Sequence, residues 1–396
     1  MQEIYQRKAD ESIDDYIYRM CSIREELRLT WQEIADIINT ECDLNYSESK
    51  YRKNWAAYLR GYNDRDREDV LPADIQEAID AKIELEKERV KLRDERTQAN
   101  AYIRRLAREE TIKEIASSVA EKMNAIKMLP PVKEGVFSVT EGTKEAILEI
   151  SDWHYGIECS NYWNTYNPEI AKERISCLRD KVLKYCLANE VKRIHVVNLS
   201  DLIAGRIHLS IRLESRFDVV TQVIEVSEIL AEFLHTLSKH LDVHYYDCLD
   251  NHSRIEPNKK DSLDLESLAR IIPWYLQTRV GNQVTIHDNE FGPDIITFKS
   301  MGYNILGVHG DKDKPNTIVD SLSRMTHAHY DLVLTAHLHH FSADEKNETV
   351  VISNGALLGT DTYAKNLRLS SRPTQNLIIV SEDSPCEIIY RIMVDH

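Results

Sequence analysis

The C-terminal part of the chain, from about residue 145, alternates short apolar runs with longer amphipathic segments. The short runs are rich in β-branched and aromatic residues, as buried strands are. Segments 168–189 and 217–240 have helical spacing and lie between the early runs. This alternation predicts an α/β or mixed sandwich fold. The runs are AILEIS, RIHVVNLS, VHYYDCL, YNILGVHG, DLVLTA, TVVISNG, NLIIVS and EIIYRIMV.

Polar residues of a restricted kind follow the first five of these runs. In α/β sheets, ligand sites form at the carboxyl ends of the strands. A single Asp or His at such a position usually caps a helix or lies on the surface, but five cases in one order favour a metal site. The residues are Asp152 and His154, Asp201, Asn251 and His252, His309, and His337 and His339.

The stretch DLVLTAHLHH shows how spacing selects among neighbouring histidines. If the strand at Leu332 to Thr335 continues, alternate side chains share a face. His337 and His339 then point the same way, Leu338 turns into the core and His340 points away. We therefore assign His340, together with His327 and His329, to the surface.

Four His, two Asp and one Asn, with no thiol, suit borderline or hard divalent metals. Seven protein ligands are too many for one open catalytic ion, but they fit two ions that share a bridging carboxylate. Such pairs clamp the attacking and leaving oxygens of a phosphoryl centre.

The order of these motifs resembles the calcineurin-like metallophosphoesterase superfamily, whose pattern is D-x-H, G-D, G-N-H, a further H and G-H-x-H. The resemblance covers residues 145–396 and implies a two-sheet sandwich flanked by helices. The corresponding residues here are Asp152-x-His154, Ser200-Asp201, Asp250-Asn251-His252, His309 and Ala336-His337-x-His339.

Residue by residue, the resemblance implies two divalent metal ions. Mn²⁺ is the first expectation, and Zn, Fe, Ni or Mg are alternatives. His252 is the implied general acid or phosphate stabiliser, and Asp201 is the implied bridge. The first ion would take Asp152, His154 and His339, and the second would take Asn251, His309 and His337.

The departures from the family pattern also carry information. Ser200, Asp250 and Ala336 replace glycines, and Asp250 adds a negative charge near the second ion. Ala204 stands where purple acid phosphatases have Tyr, which disfavours an iron–tyrosinate site. The related repair nucleases have His there, and His208 is a candidate substitute.

Several cations follow the ligand motifs and are candidates for contacts with substrate phosphates. We expect Arg206, His208 and Arg254 to make such contacts. The alternative for each is a solvated, charge-balanced rim. Other cations in these segments are Arg212, Arg216, Lys259, Lys260, Lys312 and Lys314.

Residues 1–70 predict a small helical domain. TWQEIADIIN begins with a capping-box pattern, Thr30 and Glu33, and a turn leads to a basic second helix. This arrangement resembles a helix-turn-helix, whose second helix would enter the major groove of DNA. The alternative is a three-helix packing module with a solvated basic face. The candidate DNA contacts are Lys50, Arg52, Lys53 and Arg60.

Residues 71–128 contain dense mixed charge and apolar residues at rough three- and four-residue spacing. This pattern predicts a helical spacer or coiled coil that could form a homodimer. The alternative is a helix that lies on the catalytic domain. Residues 129–144 are predicted to be a linker, and residues 145–396 the phosphoesterase domain.

Composition limits the remaining choices. With a net charge of −16, the chain would not hold nucleic acid through its overall field, so any binding needs local basic patches or metal ions. No secretory signal or membrane span is visible, and the seven cysteines are dispersed without a C-x-x-C pair. We expect a cytoplasmic protein, in the host bacterial cytoplasm if phage-encoded.

The whole arrangement resembles phage- and prophage-encoded proteins described as exonuclease-like or DNA-repair-nuclease-like. It implies a dinuclear-metal phosphodiesterase that hydrolyses DNA by attack of a metal-bridging hydroxide. A small-molecule phosphatase or cyclic-nucleotide phosphodiesterase is the second hypothesis, since the same site suffices. A non-enzymatic DNA-binding protein with a vestigial site is the third.

Overall fold

The structure is a computed structural model that describes residues 3–65, 73–126, 129–130 and 143–395. Most of the predicted linker 129–144 lies outside the described residues. The chain divides into two compact units, Met1–Ile103 and Arg104–His396, which are described separately. The domain bounds predicted from the sequence stay predictions.

The N-terminal unit begins with a 3-10 turn, Glu3–Tyr5, and three helices: α1 (Ile13–Ser22), α2 (Trp31–Cys42) and α3 (Glu48–Arg65). The predicted capping box is confirmed, because the Thr30 hydroxyl accepts from the Glu33 amide and the Glu33 carboxylate accepts from the Thr30 amide. Apolar side chains from all three helices form one small core: Tyr16, Met20, Cys21, Ile34, Ala35, Ile38 and Tyr51.

Helix α4 (Ala73–Ala125) is a single helix of 53 residues, consistent with a segment that has neither Gly nor Pro. From Glu77 to Ile103 its described side chains are exposed. In its last part, Ile115 and Val119 are buried in the main core of the second unit. This last part therefore belongs structurally to the second unit.

The second unit contains thirteen strands among the described residues: β1 (Lys144–Ile150), β2 (Cys159–Ser160), β3 (Thr165–Tyr166), β4 (Arg193–Asn198), β5 (Asp242–Asp247), β6 (Thr285–Ile286), β7 (Ile296–Ser300), β8 (Tyr303–Gly307), β9 (Leu332–Thr335), β10 (Ser342–Lys346), β11 (Thr349–Ser353), β12 (Thr374–Ser381) and β13 (Ile388–Met393). Its helices are α5 (Pro168–Ala188), α6 (Leu209–Glu214), α7 (Val219–Ser238), a 3-10 turn (Leu268–Arg270), α8 (Ile271–Val280), α9 (Ile318–Thr326) and α10 (Thr362–Asn366).

Two sheets pack face to face. The first has the strand order β13-β12-β1-β4-β5-β6, and the second has the order β10-β11-β9-β8-β7. Between them lies an apolar layer that includes Ile147, Val197, Leu334 and Ile378. Helices α5, α7 and α8 pack on the first sheet, and α9 packs on the second. The predicted two-sheet sandwich flanked by helices is confirmed.

Strands β7 and β10 and the short strands β2, β3 and β6 were not predicted from the sequence. Strand β10, SADEK, is a mostly exposed edge strand with no apolar alternation, so its pattern carries no strand signal. Among the described helices, none combines the length and apolar character that crossing a membrane requires.

Strand register brings the polar ends together. Strands β1, β4 and β5 are parallel and in step, with Ile150 opposite Asn198 and Asn198 opposite Asp247. In the second sheet β8 and β9 are also parallel. The residues that follow these five strands therefore leave the sandwich at one edge.

Candidate metal centre

The loops at this edge contain an unusual concentration of left-handed backbone. Residues other than glycine rarely have positive φ, and such conformations cost on the order of 1–3 kcal/mol each. Hydrogen bonds between adjacent loops offset part of this cost: the Asp152 amide donates to Ser200 O (2.9 Å), and the His154 amide donates to Asp201 O (3.0 Å). The residues and their φ angles are Asp152 51°, His154 44°, Ser200 75°, Asp201 52°, His337 67° and His339 59°.

Asp152, His154 and His339 form the first group of potential ligands, with one donor atom from each lying within 4.8 Å of the others. Asp152 Oδ1 lies 3.2 Å from His339 Nε2, and the Nε2 atoms of the two histidines are 3.2 Å apart. Asp152 Oδ1 and His154 Nδ1 are buried and have no hydrogen-bond partner. Asp152 Oδ1, His154 Nε2 and His339 Nε2 face one another and fit a shared cation.

The second group surrounds His309, whose Nε2 lies 3.1 Å from both Asn251 Oδ1 and Asp201 Oδ2. His309 Nδ1 donates to Leu199 O at 2.7 Å, which leaves the Nε2 lone pair facing the centre. This second contact is typical of histidines that bind metals. His337 joins His309 and Asp201 in a group within 4.8 Å.

Asp201 belongs to both sides of the centre. Its Oδ2 lies 3.9 Å from His154 Nε2 as well as 3.1 Å from His309 Nε2, and it forms no hydrogen bond. Buried carboxylate oxygens that form no hydrogen bond are costly unless a cation compensates them. The nitrogen and oxygen donor set and these orphaned atoms therefore fit divalent metal ions.

The pKa values of this edge are strongly displaced. Burial, with the nearby His252, lowers the pKa of His154 to about 3. Burial opposes protonation of His309 too, but Asp201 prevails and raises the pKa of His309 to about 10. Burial likewise acts against ionisation of Asp201, yet the surrounding histidines hold its pKa well below the usual range. In the metal-free chain, a proton on His309 thus lies where a cation would bind, and metal binding would release it.

Two departures from the family pattern form a hydrogen-bonded pair. Ser200 Oγ donates to Asp250 Oδ2 at 2.6 Å, and the same oxygen accepts from the Asp201 amide at 2.9 Å. Asp250 Oδ1 accepts from the Ser253 amide at 2.6 Å. The sequence prediction treated the two changes separately and expected charge near the second ion. The charge does act on His309 of the second group, and the Asp250 carboxylate also braces the turn that presents Asp201, a link visible only once β4 and β5 are adjacent.

His252 is oriented by main chain. Its Nδ1 donates to Ala204 O at 2.9 Å, so Nε2 faces the centre, 4.0 Å from Asp201 Oδ2. Gly205 has a φ of 74°, and a Cβ there would lie 2.1 Å from His252 O. The loop can approach His252 this closely only with glycine at position 205, a requirement that the sequence alone did not show.

The two histidines of the HLH motif reach different groups, but not as alternate residues of a strand. Strand β9 ends at Thr335, so the premise of a continuing strand is wrong. Two left-handed residues direct His337 to the second group and His339 to the first. Leu338 was expected in the core and is 46% exposed. His340 is exposed, and its Nδ1 donates to Leu338 O.

The candidate phosphate contacts lie beside His252. The Nε atom of Arg254 is buried without a hydrogen-bond partner. The ring of His208 lies 6.0 Å from that of His252, and burial, with His252 and Arg254, lowers the pKa of His208. Arg206 is half-buried in the same loop as His208.

The candidate DNA contacts lie on α3. Lys50, Arg52 and Lys53 are exposed, whereas Tyr51 packs inward and donates to Asn39 Oδ1 at 2.7 Å. Lys50 Nζ lies 3.0 Å from the centre of the Tyr46 ring, and Arg52 pairs with Glu48. The side chain of Arg60 lies outside the described residues.

Comparison with known sequences identifies two similarities. A family model described as the YonJ N-terminal domain matches residues 2–69. The chain is also 27% identical over 385 residues to the SPbeta prophage-derived uncharacterized protein YonJ of Bacillus subtilis (strain 168), with 94% of each chain covered. This agrees with the expected prophage association, while the nuclease and helix-turn-helix parts of that expectation stay predictions.

Solved structures similar to this chain include an archaeal phosphodiesterase (TM-score 0.33, 13% identity) and Vps29 of Entamoeba histolytica complexed with zinc (0.31, 10%). A predicted phosphoesterase of Streptococcus pneumoniae TIGR4 gives 0.27 and 11%. Each match covers 63% of this chain and, in the same order, 99%, 99% and 98% of the other. At such identities and TM-scores, the likeness carries no information on activity.

Proposed function

We propose that this chain is a divalent-metal-dependent phosphodiesterase that hydrolyses DNA. The observation that carries the proposal is the cluster of seven nitrogen and oxygen donors at one sheet edge, where Asp152 Oδ1 and Asp201 Oδ2 are buried without hydrogen-bond partners. The order of the motifs along the chain, which resembles that of metallophosphoesterases, supports a phosphoester as the substrate.

The donors divide naturally between two ions. Asp152, His154 and His339 would hold one ion, the group around His309 would hold the other, and Asp201 would contact both. Bound ions would supply Lewis-acid stabilisation of the phosphoryl oxygens and would lower the pKa of the attacking water. Mn²⁺ is our first choice. Imidazole and carboxylate ligands without thiolate also suit Zn, Fe, Ni or Mg.

His252 is our candidate general acid. Because Nδ1 donates to Ala204 O, the proton available to substrate is the one on Nε2 of the imidazolium form. From this position it can pass to the leaving oxygen as the P–O bond breaks. Such proton transfer contributes about 10²–10⁴-fold to rate in enzymes.

Unpaired cations beside His252 support an anionic substrate. Neither Arg206 nor Arg254 has an ion-pair partner among the residues that the structure describes. Both follow ligand loops, and Arg254 adds a buried guanidinium nitrogen with no acceptor. By contrast, Lys259 is already paired with Asp311, and Lys312 is paired with Asp264 and Asp294.

DNA as the substrate rests on the N-terminal unit. Helices α2 and α3 are joined by a short turn, and the exposed side of α3 carries Lys50, Arg52 and Lys53. Lysine and arginine on such a helix neutralise phosphates, which offsets the acidic net charge locally. A solvated basic face with no partner is the alternative.

The exposed part of α4 supports a homodimer. Ile79, Ile83 and Val90 are 38%, 47% and 43% exposed and lie four and seven residues apart, as in a coiled-coil seam. Sedimentation of the full chain should show a dimer whose fraction falls on dilution. A monomer at every concentration would contradict this part of the proposal.

The activity test uses the full chain, stripped with a chelator and then supplied with Mn²⁺. We expect cleavage of labelled DNA and of bis(p-nitrophenyl) phosphate, both lost on renewed chelation. Turnover of phosphomonoesters or cyclic nucleotides without DNA cleavage would favour the small-molecule hypothesis. A chain that binds no metal and hydrolyses nothing would favour the vestigial site.

The contribution of the N-terminal unit is best tested by substitution. Removing residues 1–130 would also remove Ile115 and Val119 from the core of the second unit, so such a truncation changes more than DNA binding. Lys50→Glu with Lys53→Glu should weaken DNA cleavage and leave hydrolysis of the small diester unchanged. Equal DNA cleavage by this variant and the wild type would contradict a DNA-binding role for α3.

A further inference from the structure

We propose that a cleft beside the β2–β3 hairpin binds an unpaired nucleobase, so that the substrate is single-stranded DNA. The inference rests on the proposed function, because it names the form of DNA that the same centre would cut. Three features carry it: a rigid turn that presents two aromatic rings, its attachment to a ligand loop, and a neutral cleft of suitable size.

The hairpin turn holds its aromatic residues in a fixed, exposed position. Asn161 Oδ1 accepts from the amides of Trp163 (2.9 Å) and Asn164 (3.0 Å), and the Asn161 amide donates to Asn164 O. Tyr162 is 93% exposed and Trp163 is 56% exposed, with their rings 5.5 Å apart. Two large aromatic side chains kept in solvent by an ordered turn point to a binding surface.

Hydrogen bonds attach this turn to the first group of metal ligands. Asn164 Nδ2 donates to Leu358 O at 2.8 Å, and the Leu358 amide donates to Asp152 O at 3.2 Å. Asn161 Nδ2 donates to Thr360 O at 3.0 Å. Thr360 lies two residues beyond Leu358, a distance of about 7 Å at most along the chain. The hairpin is thus held close to Asp152.

Trp163 forms one wall of a cleft of about 560 Å³. That volume is within the usual range for small-molecule sites. The segment Ser370–Pro373 also lines the cleft, and Arg174 and Thr360 contribute to the lining. An aromatic ring and the hydroxyl groups of Ser370 and Ser371 line the cleft, which suits a heterocycle with hydrogen-bonding edges.

The charges lining the cleft cancel. Arg174 and Arg372 are balanced by Glu173 and Asp395, and Arg372 donates twice to Asp395 Oδ2, at 2.8 and 2.6 Å. A phosphate gains little electrostatic attraction in such a cleft, whereas a neutral base does not depend on that attraction. The metal centre would therefore bind a phosphate of the strand, and the cleft would bind a base.

The cleft is also preorganised. The buried guanidinium of Arg174 donates to Leu357 O, Leu358 O and Asn164 Oδ1 at 2.8–3.0 Å. Gly359, with a φ of 77°, packs so closely that a Cβ would lie 2.9 Å from Pro373 Cγ. Binding a base here requires little rearrangement, which favours affinity.

The cleft discriminates between strand forms because a base in a duplex is paired and stacked on its neighbours. A single strand can turn a base face towards Trp163, and Tyr162 is available to the next base. Stacking on aromatic side chains is tolerant of sequence, since every base has a π face. The geometry therefore predicts a preference for single strands with little base specificity.

The test measures binding of a fluorescently labelled oligothymidylate to the full chain by anisotropy, in a chelator so that no cleavage occurs. Trp163→Ala should weaken binding about tenfold, as expected for the loss of one stacked base. The matched control is Trp274→Ala, since Trp274 is 54% exposed, lies on α8 and does not line the cleft. An abasic oligomer of equal length should bind the wild type as weakly as oligothymidylate binds Trp163→Ala.

A second variant tests the cleft without removing an aromatic residue. Ser370 is exposed and lines the cleft, so Ser370→Leu should fill part of the space without adding a stacking ring and should weaken oligothymidylate binding. Equal affinity of the wild type for oligothymidylate and abasic oligomers would overturn the inference, as would unchanged binding by both variants.

Hydrolysis of bis(p-nitrophenyl) phosphate separates this inference from the proposed function. The Trp274→Ala control should hydrolyse this baseless diester at the wild-type rate. If the wild type does not hydrolyse it, the proposed function fails, while the binding result still decides the cleft. If the diester is hydrolysed but the variants bind oligothymidylate normally, only the cleft inference fails.

Discussion

Two histidine clusters lie in the same sandwich, and they differ in whether their polar atoms have partners. At the metal centre, Asp152 Oδ1 and Asp201 Oδ2 are buried without hydrogen bonds. The second cluster consists of His195 in β4, His244 in β5 and His287 just after β6. The first cluster follows strand ends, whereas the second lies largely within strands.

In the second cluster the ring nitrogens of the two strand histidines are paired. His195 contacts Glu145 Oε2 (3.0 Å) and the Tyr246 hydroxyl (3.3 Å). His244 contacts His287 Nε2 (2.8 Å) and Asp242 Oδ2 (3.3 Å). The number of histidines therefore does not mark a metal site. Buried carboxylate oxygens that form no hydrogen bond and face several histidine nitrogens do, because they are costly unless a ligand completes them.

The largest expected effect separates the two clusters by one conservative change in each. Asp201→Asn should lower phosphodiester hydrolysis by about 10³-fold or more, because a carboxylate shared by two ions supplies several kcal/mol. Asp242→Asn should leave the rate and the metal content near wild type. Kinetics with bis(p-nitrophenyl) phosphate and metal analysis check both. Similar losses in the two variants would break the distinction between the clusters.

The next effect concerns a histidine that lies at the centre but is not assigned as a ligand. His252→Gln should lower kcat by about 10²–10⁴-fold while the bound metal stays at two ions per chain. If this variant instead loses an ion, His252 is a ligand and the proposed general acid must lie elsewhere.

A smaller effect is expected from the residues that brace the centre. Ser200→Ala removes the hydroxyl that donates to Asp250 and should weaken metal affinity about 10-fold or somewhat more, as for other partners of ligand residues. Metal titration monitored by calorimetry measures this change. The double variant with Asp250→Asn should lose less than the sum of the single changes, since both act on one hydrogen bond. Strict additivity would show that the two residues act independently.

The smallest effect concerns stability in acid. Burial lowers the pKa of His195 below its ordinary 6.5, so the unfolded chain binds more protons and stability falls as pH drops below 6.5. His195→Gln should therefore lose less apparent Tm than the wild type between pH 7.5 and 5.5, by a few degrees at most. An equal loss in both proteins would show that His195 does not contribute to the pH dependence.

A further loss should follow at lower pH. Burial alone would raise the pKa of Glu145, but hydrogen bonds from His195 and Ser300 prevail and lower it to about 2. The stability from this ionised group is complete above pH 4.5 and disappears as pH falls towards 2. A His195→Leu variant, which removes one of these donors, should show a weaker loss in this range.

The sequence could predict features that depend on local patterns, but not those that depend on contacts between distant residues. The fold followed from apolar runs and amphipathic helices, and the candidate site followed from polar residues after five such runs. Those are local patterns. The polar edge strand β10 had no such pattern, and the left-handed turns at His337 and His339 depend on packing. The Ser200–Asp250 pair needed the adjacency of β4 and β5, and the cleft needed residues that are about 200 positions apart.

Metal content per chain tests the central claim most directly. After stripping, loading with Mn²⁺ and removal of excess metal, elemental analysis should find two ions per wild-type chain. We expect two ions in His340→Ala, because this histidine lies outside both groups, and one or none in His337→Ala. One ion or none in the wild type, or equal metal content in the two variants, would contradict a two-metal centre at this sheet edge.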